Sequence, residues 1–256
     1  MTISAARIRA VVRKEFRDYR RNRFVLATMA VLPVVFFITP VISIFRITAA
    51  VPASVVRTQV GVTLLLLLLI PVIVPATIAA YSVVGERDQG TLEPVLTTPI
   101  RRDEFLLGKA VAAIIPSVGI AYALFAVFVT AVRFGASHAV VTTVWQPTWF
   151  LAQLLFAPLL AGWSIWVGTA ISARSTDVRA AQQLGTLASL PPLALTSLIL
   201  FRVIHPSVTV ALVVALALAV IDIAAWRVVS AMFDRERLIT GMRPSPDAPE
   251  PGAPCY

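Results

Sequence analysis

Residues 60–84 read VGVTLLLLLLIPVIVPATIAAYSVV, and residues 85–109 read GERDQGTLEPVLTTPIRRDEFLLGK. The first segment carries no charge in 25 residues, enough for a helix to cross a hydrocarbon core about 30 Å thick. The second carries nine charges: Glu86, Arg87, Asp88, Glu93, Arg101, Arg102, Asp103, Glu104 and Lys109. Another apolar run follows it. A connection between two membrane helices needs only about four or five residues. This loop has helix signals of its own. Gly90 interrupts the outgoing helix, and Thr91 is placed to N-cap a short turn holding Leu92, Val95 and Leu96. Thr98-Pro99 offers a second N-cap with proline at the first helical position. A short turn with apolar side chains in a charged loop is how a helix offers itself to a partner groove.

Working outward, the apolar pattern recurs. At 58% hydrophobic and 14% charged, a chain of 256 residues is too apolar for a soluble domain. Six stretches reach membrane-helix length: 24–45, 60–84, 110–132, 149–171, 180–201 and 208–226. The fifth is interrupted by Gln182, Gln183 and Pro191-Pro192, groups that neighbouring helices can satisfy.

The basic residues then orient the chain. With both termini in the cytoplasm, 18 Lys and Arg fall inside and 4 outside, the latter being Arg46, Arg57, Arg133 and Arg202. That split follows the positive-inside rule and accounts for the net charge of +9 without nucleic acid. Residues 1–23 form a separate element. Ile8, Val12, Phe16 and Tyr19 recur at helical spacing among Arg and Lys, which predicts an amphipathic helix in the headgroup layer. The apolar run that follows is too long for a signal peptide. Residues 24–242 make one membrane domain. The tail 243–256 holds five prolines and is expected to be disordered. Its Cys255 is the chain's one cysteine, which excludes an intramolecular disulfide, and its position does not fit prenylation.

Catalytic chemistry finds little support. His138 and His205 sit at external helix ends, far from any cluster of metal ligands, so no metal site is expected. An aspartyl mechanism needs two carboxylates sharing a site, and Asp222 is the single intramembrane acid. Ser117 and Ser164 have no His or Lys nearby in sequence. Gly108-Lys109 lacks the leading glycine and the following Ser or Thr of a phosphate-binding loop, so no nucleotide is bound by that motif. Asp222 either snorkels to the interface or pairs with Arg227 or a neighbouring helix. Prolines 33, 40, 71, 75, 116, 158 and 191–192 are either static packing features or flex points of alternating access. Trp145, Trp149, Trp163, Trp166 and Trp226 lie near predicted helix ends and read as interfacial anchors.

The loop Glu86, Gly90, Thr91, Leu92, Glu93, Leu96, Pro99, Arg101, Gly108, Lys109 resembles the cytoplasmic loop of type-2 (ABC-2) ABC-transporter permeases. A looser match, Ala173-Arg174-Ser175 followed by residues 179–184, resembles the family's approach to its fifth membrane helix. The resemblance implies an all-α polytopic permease with six transmembrane helices, an N-terminal interfacial helix and a cytoplasmic coupling helix in loop 85–109. It implies that Glu86, Gly90, Thr91, Leu92, Glu93, Val95, Leu96, Pro99, Arg101, Arg102 and Lys109 couple to a separate ATPase subunit. That partner would carry ATP-Mg, and this chain would bind no cofactor. The permease would be a homodimer or a heterodimer with a related permease, exporting a substrate across the plasma membrane. The alternatives are a standalone secondary transporter or channel and an intramembrane enzyme. Substrate-contacting residues are not legible.

Overall fold

A computed structural model of the chain describes residues 4–47, 51–85, 101–200 and 208–232. Among these the secondary structure is helical: α1 Ala5–Arg21, α2 Arg23–Phe45, α3 Ala53–Ala80, α4 Arg102–Gly135, α5 His138–Val144, α6 Pro147–Arg174, α7 Val178–Ala188, α8 Leu190–Leu200 and α9 Val208–Met232. A π-helical turn, Tyr81–Gly85, continues α3. Five segments among the described residues are long and apolar enough to cross a membrane: Val25–Phe45, Ala53–Ala80, Asp103–Gly135, Pro147–Arg174 and Val208–Ala231. The all-α, multi-pass expectation holds. The disordered-tail expectation for 243–256 lies outside the described residues.

Helix α3 is the centre of the bundle, packed against α2, α4 and α6. Three polar side chains of α6 donate to its carbonyls in sequence: Gln153 Nε2 to Leu64 at 2.8 Å, Ser164 Oγ to Val72 at 2.6 Å and Ser172 Oγ to Ala80 at 2.8 Å. All three side chains are buried. Inside a bilayer a polar group without a partner costs several kcal/mol by order of magnitude, so this ladder fixes the register of α6 on α3.

The fifth predicted span is not one helix. It divides at Ser189 into α7 and α8, 11 residues each, or about 16 Å at the helical rise. Pro191 and Pro192 supply no N–H for the carbonyls of Leu187 and Ala188. Trp163 Nε1 donates to the Ala188 carbonyl instead, at 3.0 Å. Ser189 Oγ bonds the Gly185 carbonyl at 2.9 Å and Ser164 Oγ at 3.3 Å. The same remedy serves Pro158 inside α6: the Leu154 carbonyl it leaves free accepts from Tyr122 OH at 2.7 Å. Helices α2, α3 and α4 run through Pro33, Pro40, Pro71, Pro75 and Pro116 without dividing.

Other boundaries shift for local reasons. Helix α3 starts at Ala53, directly after Pro52, whose carbonyl accepts from Val55 and Val56. Helix α4 starts at Arg102 because Glu104 caps the chain at Arg101, accepting its N–H at 3.1 Å. The N-cap proposed at Thr98-Pro99 lies outside the described residues. Short α5 was not anticipated; it buries Val140, Thr143 and Val144 against the bundle. The tryptophans also correct the sequence reading. Trp149 and Trp166 are buried in the core, and Trp163 serves the broken helix. Of the five, Trp145 is the exposed one at 49%.

Candidate functional site

The charged end of the bundle is built around α1, which lies along the first turns of α4. Its amphipathic pattern is real, but the stripe that is most buried is Val11 and Glu15, rather than the Ile8, Val12, Phe16 and Tyr19 face alone. Close approach depends on Gly108: a Cβ there would fall 2.6 Å from both Cβ and Cγ1 of Val11. On one side of that contact Glu15 faces Lys109, Oε1 to Nζ 3.1 Å, with both side chains at or below 6% exposure. Lys14 adds a second ammonium at 3.0 Å and also reaches Asp18 at 3.1 Å. Burial by itself would raise the Glu15 carboxyl. The charges of Lys109 and then Lys14 outweigh it and hold the group below the usual carboxylate range.

On the other side Glu104 is fully buried and gathers three donors. Ser4 N–H reaches Oε1 at 2.8 Å, Arg7 Nη1 reaches Oε2 at 3.1 Å, and Arg101 N–H reaches Oε2 at 3.1 Å. One carboxylate therefore joins the start of α1 to the residue where the chain leaves the 86–100 segment. Next to it, Ser230 Oγ of α9 donates to Asp103. The opposite flank of that segment is fixed differently. Ser172 of α6 accepts from Val84 N–H at 3.2 Å while donating to the Ala80 carbonyl at 2.8 Å. Its hydroxyl replaces one direct helical hydrogen bond, which opens the π turn at Tyr81–Gly85. The loop is thus clamped before residue 86 and after residue 100.

Of the residues expected to meet an ATPase, Glu86, Gly90, Thr91, Leu92, Glu93, Val95, Leu96 and Pro99 lie outside the described residues. Arg101 and Arg102 begin α4. Lys109 is 4% exposed and holds α1 through Glu15, so its position is that of a brace within the chain. Sequence reasoning missed Arg7, Glu15 and Ser172, and counted Glu104 only as a loop charge. The available signal was an acid, Glu15, four residues after Val11 on the stripe that faces the protein.

Of the positions expected for Asp222, pairing with Arg227 is not found among the described residues. The Asp222 Oδ1 is buried and accepts no hydrogen bond among them. Arg227 stands about 140° around the helix from it. Oδ2 rests on α6 at Gly162, where a Cβ would lie 2.6 Å away. No group of three or more metal-type ligands occurs among the described residues.

Residues 9–200, most of the chain, match the family described as ABC-2 family transporter protein. None of the curated proteins matches the sequence. The matched region takes in α1 from Arg9 onward, Ser172 and Glu104 on the two flanks of the 86–100 segment, and the divided helix, while Ser4 and Arg7 precede it. The chain belongs to the ABC-2 transporter family and is a multi-pass membrane permease.

Proposed function

We propose that this permease is the membrane half of an ATP-driven exporter in the plasma membrane, with both termini cytoplasmic, working as a homodimer or with a related permease. ABC-2 membrane proteins typically pair with ABC ATPase subunits. In this reading the ATPase binds and hydrolyses ATP-Mg, and residues 85–109 pass its closure to the helices. Leu92, Val95 and Leu96 fill a groove on the ATPase, while Glu86, Glu93, Arg101 and Arg102 pair with charges across the contact or hold the loop's shape.

The observation that carries the reading is the double clamp on the 86–100 segment. A loop that only joined two helices would need neither the Ser172 bridge before it nor the Glu104 junction after it. Force applied to such a loop moves α3, α4, α6 and α1 together, because each clamp ends on a different helix. Lys109 acts here as a positioning residue for α1.

Six crossings are part of the proposal. Ser172 near the end of α6 meets the end of α3, and Ser230 near the end of α9 meets the start of α4. The ends of α6 and α9 then share one side, so the chain between them crosses once, as α7 and α8 in two halves. Of the 17 basic residues among the described ones, 14 fall on that same side, which supports its being cytoplasmic.

The test is Leu96→Asp against Glu250→Ala in the tail. Burying an apolar anchor contributes roughly 1.5–3 kcal/mol, and a carboxylate forced into the same groove adds a desolvation cost. Expression and topology should be unchanged while capture of the cognate ATPase falls a hundredfold by order of magnitude. Unchanged capture and transport would remove the loop from the mechanism. Transport by the purified chain alone in liposomes would favour a standalone transporter.

A further inference from the structure

Among the described residues the acids that α1 carries or touches are engaged: Glu104 by Arg7, Glu15 by Lys14 and Lys109, and Asp18 by Lys14. Five cations of the same helix remain. Arg9, Arg13, Arg17, Arg20 and Arg21 are exposed and make no ion pair or hydrogen bond among the described residues. Arg13, Arg17, Arg20 and Arg21 follow each other at i, i+4, i+7 and i+8, so they share one face. With Phe16 they line a groove of about 480 Å³. Phe16 gives the groove an apolar floor and meets Tyr19 edge to face at 6.3 Å.

The groove also has a fixed place. Asn22 separates α1 from α2, accepting Val25 N–H on its Oδ1 at 3.2 Å and donating its own N–H to the Asp18 carbonyl at 2.9 Å. The apolar span begins at Val25, so Arg21 stands within about one turn of the hydrocarbon boundary. Guanidinium groups bind phosphate through paired N–H donors. Four of them beside an aromatic ring, at the edge of a membrane span, match a phosphate joined to acyl chains.

We propose that this face of α1 is a binding site for the headgroup of an anionic phospholipid, with the phosphate held among Arg13, Arg17, Arg20 and Arg21 and the glycerol end against Phe16. The site requires that α2 crosses a bilayer. It does not depend on ATPase coupling, so it stands or falls separately from the proposed function.

The experiment uses the full chain reconstituted in vesicles of equal parts phosphatidylcholine and phosphatidylglycerol, extracted mildly, with retained lipid counted by native mass spectrometry. Arg13→Gln/Arg17→Gln leaves Arg20, Arg21 and Arg23 to orient the first span. The control is Arg174→Gln/Arg227→Gln, which removes the same charge from exposed positions at the same end of the bundle. A guanidinium hydrogen-bonded to the bound phosphate contributes on the order of tenfold, hence roughly a hundredfold for the pair, whereas arginines away from the site make no such bond. Retained phosphatidylglycerol should fall by that order in the first variant and stay near wild type in the control. It should also fall in the wild type as salt rises from 0.1 to 0.5 M, by screening. Arg13→Lys/Arg17→Lys should keep most of it. Equal retention by the glutamine variant and wild type would overturn the site. So would a variant that retains lipid but loses the ATPase, since the face would then belong to a protein partner. Should the glutamine variant not fold, salt-insensitive retention by the wild type overturns the proposal equally.

Discussion

The Glu15–Lys109 pair offers the sharpest test of how α1 is held. Glu15→Ala leaves the Lys109 ammonium at 4% exposure without its carboxylate. Removing one member of a buried pair costs about 3–5 kcal/mol. The lower end applies here, because Lys109 also sits over the Phe105 ring, 5.1 Å from its centre, and keeps that attraction. A loss of about 3 kcal/mol, confined to the docking of α1, raises the undocked fraction roughly a hundredfold. Lys109→Met should cost less, because Lys14 remains 3.0 Å from the Glu15 carboxylate. Glu15→Leu/Lys109→Met should return near wild type, since apolar replacement of a whole buried pair is often neutral. Hydrogen exchange of the amides of Ala5–Arg21 in detergent reads the docking equilibrium directly. Exchange in Glu15→Ala within about threefold of wild type would refute the argument, as would a double variant as unprotected as the single one.

Acid gives a second view of the same pair. The folded-state Glu15 carboxyl titrates below its usual range, so its contribution is complete above about pH 5 and is lost as pH falls through the lowered value. Protection of α1, corrected for intrinsic exchange, should therefore be flat from pH 8 to about pH 5 and fall below it. For the divided helix, Trp163→Phe removes the donor to the Ala188 carbonyl, an uncompensated acceptor costing roughly 1–3 kcal/mol. Adding Pro192→Ala supplies an N–H and should recover much of the loss in thermal unfolding; no recovery would show that the indole acts by packing alone. For orientation, a cysteine at Ala136 should react with an impermeant thiol reagent from outside intact cells and one at Asp177 should not. Reversed labelling would turn the bundle over and place the 86–100 segment away from any cytoplasmic ATPase.

The long apolar runs were legible because hydrocarbon thickness imposes a length that composition alone reveals, as in α2, α4, α6 and α9. The divided helix was half legible. Gln182, Gln183 and Pro191-Pro192 marked it as weak, but the division at Ser189 depends on Trp163 and Ser164, which reach it from another helix. Helix α5 has seven residues, too few to impose a period. The site shows the same limit. Gly108-Lys109 stood out as a family feature, yet its physical reason is Val11 and Glu15 on a helix far back in the chain. Pairings over such separations leave no periodic trace. Ser172, one hydroxyl among many, gave no sign that it would open a turn of α3.

The junction at Glu104 has a consequence for how the protein is made. Ser4 and Glu104 are 100 residues apart in sequence, and ribosomes add roughly 5–20 residues per second. Helix α1 therefore leaves the ribosome some 5–20 seconds before the carboxylate that receives its first turn exists. Through that interval Arg7 has no Glu104, and Glu15 has no Lys109. The helix waits as a strongly basic strip while the first two spans are being inserted, when the sign of flanking charge sets their direction. Only when α4 emerges does the strip acquire Glu104 and Lys109 as partners, so one set of basic residues first steers insertion and afterwards serves the finished structure.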